Sequence, residues 1–163
     1  MNYKKLSQKQ EKSVAKTFDA KVTVASGAFW GMKADCRNDK FLIECKTTQG
    51  ISYPLRASVW EKIEREANRD RMRTPLLIID LENRHRCVVF NPKYFSHRDL
   101  LVVDYVPFTR KSFNIIYSHL EGNYDCISFV ICGKTAFELY CMKLEVFLDI
   151  FKEEIQIGFK ESV

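Results

Sequence analysis

Two acidic residues and a lysine are closely spaced around a short apolar segment of the chain. Asp35 is followed nine residues later by Glu44-Cys45-Lys46, within the strand-like run 41–48. Alternate side chains of an extended strand point to opposite faces, so Glu44 and Lys46 share one face. Buried unpaired charge is costly, and a divalent cation can compensate acidic groups of this kind. The spacing therefore predicts a metal-dependent site.

A hairpin would bring the acidic residues together. Strands are predicted around 33–36 and 40–48, joined by a tight turn at Asn38-Asp39. Antiparallel pairing would place Asp35 and Glu44 on neighbouring strands.

A helix predicted over 7–18 precedes this hairpin, because Val14 and Phe18 recur at helical spacing among polar residues. Extending that apolar stripe back by one turn arrives at Glu11. A short strand over 22–25 and a loop follow the helix.

The segment after the hairpin predicts a helix and two further strands. Ser58 and Glu61 form a capping-box pattern, and Val59, Ile63 and Ala67 follow at helical spacing. The continuously apolar run 75–80 predicts a strand buried on both faces, with 86–90 as its hairpin partner. We expect an α/β (α+β) fold, a mixed central sheet flanked by helices.

The last third gives a weaker pattern. We expect an extended segment over 100–106, a helix over 111–120 and a strand over 126–132. A second capping box, at Thr135 and Glu138, predicts a long helix whose apolar stripe forms core or a subunit interface. That stripe consists of Phe137, Tyr140, Cys141, Leu144, Leu148, Phe151 and Ile155.

Composition favours one domain inside the cell. The 163 residues suit a single compact unit, and the formal net charge of +5 is compatible with a polyanionic partner such as nucleic acid. The six cysteines lack C-x-x-C pairs, and most lie in apolar runs, so they are expected to be reduced and structural. With no signal-like start and no run of about 20 apolar residues, we expect a soluble cytoplasmic protein without membrane contact.

The acid on one strand and the acid-x-lysine on the next resemble the motif of the PD-(D/E)XK nuclease superfamily. The order of elements over about 8–92 is similar to that of Holliday junction resolvases of archaea and phages. One departure is Ala34, where the superfamily often has proline or glycine. The resemblance implies a restriction-endonuclease-like fold, with a motif-bearing core at about 8–92 and a C-terminal strand-plus-helix extension at about 100–157.

The resemblance also implies the chemistry. Asp35, Glu44, the backbone carbonyl of Cys45 and Glu11 would bind Mg²⁺, with Mn²⁺ as a substitute. Such a cation polarises the phosphate and activates water for phosphodiester hydrolysis. Lys46 would hold the attacking water and stabilise negative charge. Ser26 would lie in a loop that approaches the DNA backbone.

Basic and aromatic residues around the motif are the candidate DNA contacts. Phosphate contacts hold DNA without reading its sequence, and aromatic rings can stack on bases. The candidates are Lys9, Lys12, Lys16, Trp30, Lys33, Thr47, Arg65 and Arg69. Together these features predict a Mg²⁺-dependent endonuclease of DNA recombination and repair. We expect a homodimer that cuts branched duplex DNA, in the host cytoplasm if the gene is phage-borne.

Several alternatives stay open on the sequence alone. Asp35, Glu44 and Lys46 could form a solvated strand face with a cross-strand ion pair. The chain could instead be a nuclease that acts on duplex, flaps or ends, or a DNA-binding module of the same fold without catalysis. A protein that acts through its C-terminal helix would bind no metal.

Overall fold

A computed structural model describes residues 2–23 and 34–160, and within them strands outnumber helices. The N-terminal half contains α1 (Tyr3–Thr17), β1 (Lys21–Val22), β2 (Cys36–Arg37), β3 (Phe41–Thr47), β4 (Ser52–Arg56), α2 (Ala57–Arg69), β5 (Thr74–Leu81) and β6 (His85–Phe90). The C-terminal half contains β7 (Val103–Arg110), β8 (Ser112–Ile116), β9 (Cys126–Cys132), β10 (Ala136–Lys143), α3 (Leu144–Ile150) and α4 (Lys152–Lys160). Short 3-10 helices lie at Pro92–Tyr94, Ser96–Leu100 and Tyr117–Leu120.

Eight strands form one mixed sheet in the order β1-β2-β3-β5-β6-β10-β9-β7. The β3–β5 and β7–β9 pairs are parallel, and the other pairs in this sheet are antiparallel. β4 and β8 form a separate two-stranded ribbon. The predicted mixed α/β architecture, a central sheet flanked by helices, is confirmed. Strands from both halves of the chain contribute to the one sheet.

The predicted hairpin of β2 and β3 is present, with Cys36 opposite Ile43. Its turn is closed by the Asn38 side chain, whose Oδ1 accepts from the backbone N–H groups of Lys40 at 2.9 Å and Phe41 at 2.7 Å. Asparagine favours such turns because its short side chain bonds to its own backbone two or three residues on. The hairpin places Asp35, just before β2, beside the end of β3.

The alternation of β3 divides it between two cores. Phe41, Ile43 and Cys45 pack into a cluster with Val14 and Phe18 of α1. Leu42 packs on the opposite face, in a cluster that includes residues of α2. Glu44 and Lys46 share that second face by the period of two. β5 is buried on both faces, as its continuous apolar run predicts.

The predicted cap of α2 is wrong. The helix begins at Ala57, its N-cap residue is Arg56, and no side chain makes a capping hydrogen bond. β4 is paired with β8 up to Arg56, and the Ala57 N–H donates to the Lys111 carbonyl, so the chain enters the helix one residue before Ser58.

The helix predicted over 111–120 is also wrong. Residues Ser112–Ile116 form β8, and a 3-10 helix follows. Phe113 and Ile115 are buried while Ser112 and Asn114 are exposed, which is the alternation of a strand with one face on the core. Pairing with β4 satisfies the backbone of this strand, and the pairing depends on contacts distant in sequence.

The long helix predicted from Thr135 is wrong as well, because its first half is β10. This strand pairs with β9 on one side and with β6 on the other. Leu139 and Cys141 enter the core beside α2, and Tyr140 and Met142 enter the core beside α1. An apolar residue at nearly every position fits either periodicity, and here sheet pairing on both sides decides. Helix begins only at Leu144, and the predicted stripe is core rather than an exposed interface.

The cysteines of the described chain are free, and five of them are buried. No helix in residues 2–23 or 34–160 is long and apolar enough to cross a bilayer.

Candidate active site

β3 carries an acid and a base that are bonded to each other. The Lys46 ammonium lies 2.6 Å from Glu44 Oε1. The Glu44 side chain is 10% exposed and that of Lys46 is 37% exposed, so the pair lies at the boundary between core and solvent. Burial alone would lower the pKa of Lys46, but the Glu44 carboxylate raises it above its usual value. Lys46 is therefore a fixed cation at neutral pH.

Asp35 is attached to the same strand through the backbone. Its Oδ2 accepts a hydrogen bond of 2.8 Å from the Cys45 N–H. The N–H and C=O of one residue in an extended strand point to the same edge. The Cys45 carbonyl therefore faces the edge where Asp35 lies, and it adds a third oxygen to the two carboxylates.

The Asp35 carboxylate is held in an unfavourable environment. Burial is the largest cause that raises its pKa from 3.8 to about 6, and the charge of Glu44 adds to it. The bond from Cys45 and the charge of Lys46 act in the opposite direction but are smaller in sum. Carboxylates with raised pKa values next to like charge are typical of functional sites.

Helix α1 brings Glu11 to this edge. The Cys36 thiol donates to the Glu11 carbonyl at 3.3 Å, which ties the helix to β2. The Glu11 carboxylate accepts from the Ser7 hydroxyl at 2.9 Å. Its charge also contributes to raising the pKa of Asp35, which places it within electrostatic range of that group. Glu11 therefore lies near Asp35, and its binding of a metal stays a prediction.

Sequence reasoning missed Gln10. This side chain is 3% exposed, and its Nε2 donates to the Lys46 carbonyl at 2.8 Å and to the Ile78 carbonyl at 3.4 Å. It therefore fastens α1 to β3 and β5 where Lys46 leaves the sheet. Its Oε1 is buried without a hydrogen-bond partner. The sequence does indicate that Gln10 is buried, because it lies four residues before Val14, on the same side of the helix.

Tyr53, an aromatic residue that the sequence places near the motif, lies beside the Glu44–Lys46 pair. It is half-buried in β4, opposite Ile115 of β8. Burial raises its pKa, and the charges of Lys46 and Glu44 also act on it. The nonlocal β4–β8 pairing sets its position.

A second ion pair supports the far side of the sheet at this end. Arg86 Nε and Nη2 bind the two oxygens of Asp80 at 2.6 and 2.8 Å, and Nη1 donates to the Ser13 hydroxyl of α1 at 2.9 Å. The Asp80 bonds raise the pKa of Arg86. Both Asp80 oxygens are occupied, so this pair fixes α1 on the sheet.

The donor set fits a small, hard cation. Within residues 2–23 and 34–160, no three His, Cys, Asp or Glu side chains converge as a complete metal cage. Mg²⁺ does not require one, since it keeps several waters and commonly binds one or two carboxylates together with substrate phosphates. Asp35, Glu44 and the Cys45 carbonyl match that pattern, and a cation there would relieve the repulsion that raises the Asp35 pKa.

The predicted DNA contacts fall in different places. Lys9, Lys12 and Lys16 are exposed on α1, the helix that carries Glu11. Thr47 lies at the end of β3, and its hydroxyl donates to Asn83 Oδ1 at 3.0 Å. Lys9 and Lys12 flank Gln10 and Glu11, which lie near the acidic motif. Lys16 lies two residues before Phe18, whose carbonyl accepts from Asn38 at the opposite end of β3.

Arg65 and Arg69 are not brought to the motif. Both are exposed on α2, whose end is tied to the opposite end of β3: Asp70 pairs with Arg37 at 3.2 Å, and Arg73 donates to the Asn38 carbonyl. The predicted contacts Ser26, Trp30 and Lys33 lie outside the described residues.

No protein-family model matches the chain, and no curated protein matches it significantly. Among solved structures, the chain is similar to Hjc, a Holliday junction resolvase from the archaeal hyperthermophile Archaeoglobus fulgidus. The TM-score is 0.43 at 17% sequence identity, with 66% of this chain and 85% of that chain covered. At this level of similarity, substrate and chemistry have to be proposed from the site itself.

Proposed function

We propose that this protein is a metal-dependent endonuclease that hydrolyses phosphodiester bonds in DNA. One observation carries the proposal: two carboxylates and a lysine are fixed on one short hairpin, with Asp35 bonded to the Cys45 N–H at 2.8 Å and Lys46 bonded to Glu44 at 2.6 Å. Burial, and then the charge of Glu44, raise the pKa of Asp35 to about 6, so a cation bound beside it would favour its ionised form.

Asp35, Glu44 and the Cys45 carbonyl would hold Mg²⁺, with Mn²⁺ as a substitute and Glu11 close by. When bound, the cation would polarise the phosphate and lower the pKa of a bound water. The chain's own contribution is positioning: Cys45 orients Asp35, Gln10 holds the backbone at Lys46, and Glu44 orients the Lys46 ammonium.

Lys46 is the residue suited to the attacking water and to the charge that develops on phosphate. Its ammonium stays protonated at neutral pH. Its ion pair in the described residues is with Glu44. Its partial exposure leaves room for a phosphate beside it. A fixed cation aimed at developing negative charge lowers a barrier by electrostatic stabilisation.

The substrate class follows from charge. The net charge is +5, and three exposed lysines of α1, at positions 9, 12 and 16, lie on the helix that carries Glu11. They would contact phosphates on either side of the cut. The sharper form of the proposal is a homodimer that resolves four-way junctions in the cytoplasm by paired cuts, because two sites related by a two-fold axis match the symmetry of a junction.

The test is cleavage of labelled four-way junction, flap and linear duplex in Mg²⁺, in Mn²⁺ and in EDTA. Wild type is compared with Asp35→Asn and with Asp149→Asn, which makes the same chemical change at an exposed residue of α3. We expect metal-dependent cutting by wild type and Asp149→Asn and none by Asp35→Asn.

The substrates separate the alternatives. Paired nicks confined to the junction support a resolvase. Cutting of duplex or flap supports a nuclease with a different substrate. Tight binding with no cutting in either metal would overturn catalysis in favour of a DNA-binding module.

A further inference from the structure

A cleft lies between α2 and the turn that joins β9 to β10. It has a volume of about 450 Å³. None of its lining residues belongs to the acidic motif; they are Glu61, Glu64, Arg65, Asn68, Arg69, Lys134, Thr135 and Phe137.

The cleft is preformed, because the turn is locked onto the helix. The Lys134 N–H donates to Glu61 Oε1 at 2.6 Å. Gly133 packs so closely that an added Cβ would collide with the Glu61 carboxylate and lie 3.1 Å from the Ala57 Cβ. A larger residue here would displace the Glu61 carboxylate from its bond to Lys134, so glycine favours this close contact between turn and helix.

One of the two acids of the cleft is paired with a cation. Glu64 binds the Lys93 ammonium at 2.8 Å and the Tyr94 hydroxyl at 3.2 Å. Glu61 accepts from the Lys134 backbone N–H and keeps its negative charge.

The cations of the cleft have no such partners. Arg65, Arg69 and Lys134 are exposed, and none makes an ion pair within the part of the chain that the structure describes. These three cations outnumber Glu61, the one acid of the cleft lining without an ion pair in the described residues, so the cleft has an electrostatic preference for anions.

The cleft lies away from the site of cleavage. Arg69 is next to Asp70, which is tied to the β2–β3 turn at the start of β3. Lys46 is near the other end of that strand, five residues after Phe41, or roughly 16 Å at the rise of an extended chain. A phosphate bound by the cleft is therefore a different one from the phosphate at Lys46.

We infer that this cleft binds the phosphate backbone of a DNA segment outside the one being cut, through Arg65, Arg69 and Lys134. The inference rests on the proposed function and deepens it, since it supplies a second anchor for the substrate. An enzyme that holds two segments can prefer branched DNA without reading bases.

The test measures binding of labelled junction and duplex in EDTA, where no cutting occurs, over a series of salt concentrations. The cleft variant combines Arg65→Gln, Arg69→Gln and Lys134→Gln. The fold should persist, because these side chains make no ion pairs and the Lys134 contact to Glu61 uses the backbone. The matched control removes the same charge at the exposed residues Lys21, Arg98 and Lys152.

We expect the cleft variant to bind the junction at least tenfold more weakly than the control at low salt. The slope of log Kd against log salt should fall by about 2 to 3, because each phosphate contact contributes about 0.9. Equal affinities and slopes for the two variants would overturn the inference. If wild type binds DNA but cuts none in Mg²⁺ or Mn²⁺, the proposed nuclease function is wrong. Failure of the cleft inference and failure of the nuclease proposal therefore give different results.

Discussion

Asp35 and Glu154 are both acidic residues withdrawn from solvent, and their surroundings act on them in opposite directions. Glu154, on α4, is 7% exposed and accepts from the Ser96 N–H at 3.1 Å, the His97 N–H at 3.0 Å and the His97 ring at 2.6 Å. Burial raises the pKa of Glu154, but these hydrogen bonds together lower it by more, so the pKa lies below the usual glutamate value. Asp35 receives one N–H and has two acidic neighbours, which leaves its pKa at about 6.

The contrast shows how the hydrogen bonding of a carboxylate that stabilises the fold differs from that of one suited to bind a ligand. The Glu154 site saturates the acid with donors and joins α4 to the segment after β6. The Asp35 site leaves the acid with one donor, at a cost to the folded state that an added positive charge would relieve. The two sites therefore predict opposite responses to the same substitution of acid by amide.

The largest difference should appear in catalysis. Lys46→Gln removes the cation of the motif while its amide can still donate to Glu44. We expect the rate of DNA cleavage to fall by about 10²- to 10³-fold, the loss typical when one electrostatic stabiliser of a transition state is removed. The measurement is single-turnover cleavage in saturating Mg²⁺.

The matched substitution is Lys40→Gln at the Glu154 site, where the ammonium binds the Glu154 carbonyl. It should keep the rate within a few-fold of wild type. A Lys46→Gln enzyme that cuts as fast as Lys40→Gln would remove Lys46 from the mechanism.

The next effect is on stability. Glu154→Gln should lower the free energy of unfolding by about 2–3 kcal/mol at pH 7, because hydrogen bonds to a charged acceptor lose their charge. Since the pKa of Glu154 is lowered, its contribution is full above the usual glutamate value of 4.5 and is lost as the pH falls through the folded value. Urea unfolding at a series of pH values measures both the loss and its pH dependence. The difference in unfolding free energy between wild type and Glu154→Gln should become smaller as the pH falls.

Glu153→Gln, at the exposed residue just before Glu154 on α4, serves as the control. It should change the unfolding free energy by no more than about 0.5 kcal/mol. Equal losses in the two variants would mean that the bonds to Ser96 and His97 do not stabilise the fold.

The part of the site that sequence reasoning located is the part that local structure builds. Asp35, Glu44 and Lys46 lie on one hairpin closed by Asn38, so alternation and turn chemistry suffice to bring them together. Tyr53 arrives through a pairing of β4 with β8 some sixty residues on, and no local period contains that information.

The errors in the fold have the same origin. β10 is apolar at nearly every position because it is covered on both faces, and such a run satisfies helical spacing equally well. The capping-box pattern at Thr135 predicts a helix, but β10 begins one residue later and pairs with β9. The pattern at Ser58 predicts the start of a helix that in fact begins one residue earlier, at Ala57. Gln10 is different, because a polar residue on a buried helix stripe is visible in the sequence and indicates a side chain that makes hydrogen bonds in the core.

At the Asp35 site the same kind of substitution should stabilise the protein. Since the folded pKa of about 6 exceeds the ordinary 3.8, ionised Asp35 costs the fold stability above pH 6 and nothing below about pH 4. The shift corresponds to about 3 kcal/mol, which partial exposure reduces. We expect Asp35→Asn to raise the unfolding free energy by about 1–2 kcal/mol at pH 7.5 without divalent cations.

The measurement is urea unfolding in EDTA at pH 7.5 and pH 4, with Asp149→Asn as the control. The gain should disappear at pH 4 and be absent from the control. Asp35→Asn that destabilises at pH 7.5 would show that the acid is already well compensated in the fold, like Glu154.

The smallest effect separates the two neighbours of Asp35. The charge of Glu44 contributes more to raising its pKa than does the charge of Glu11. Glu44→Gln should therefore lower the Asp35 pKa more than Glu11→Gln, and both should lower it. A carbon NMR titration of the Asp35 carboxyl in cation-free buffer resolves the order, with Glu145→Gln, an exposed change on α3, leaving the titration unmoved. If Glu11→Gln has the larger effect, α1 holds its carboxylate nearer to Asp35 than β3 holds Glu44, and Glu11 becomes the second cation ligand in place of Glu44.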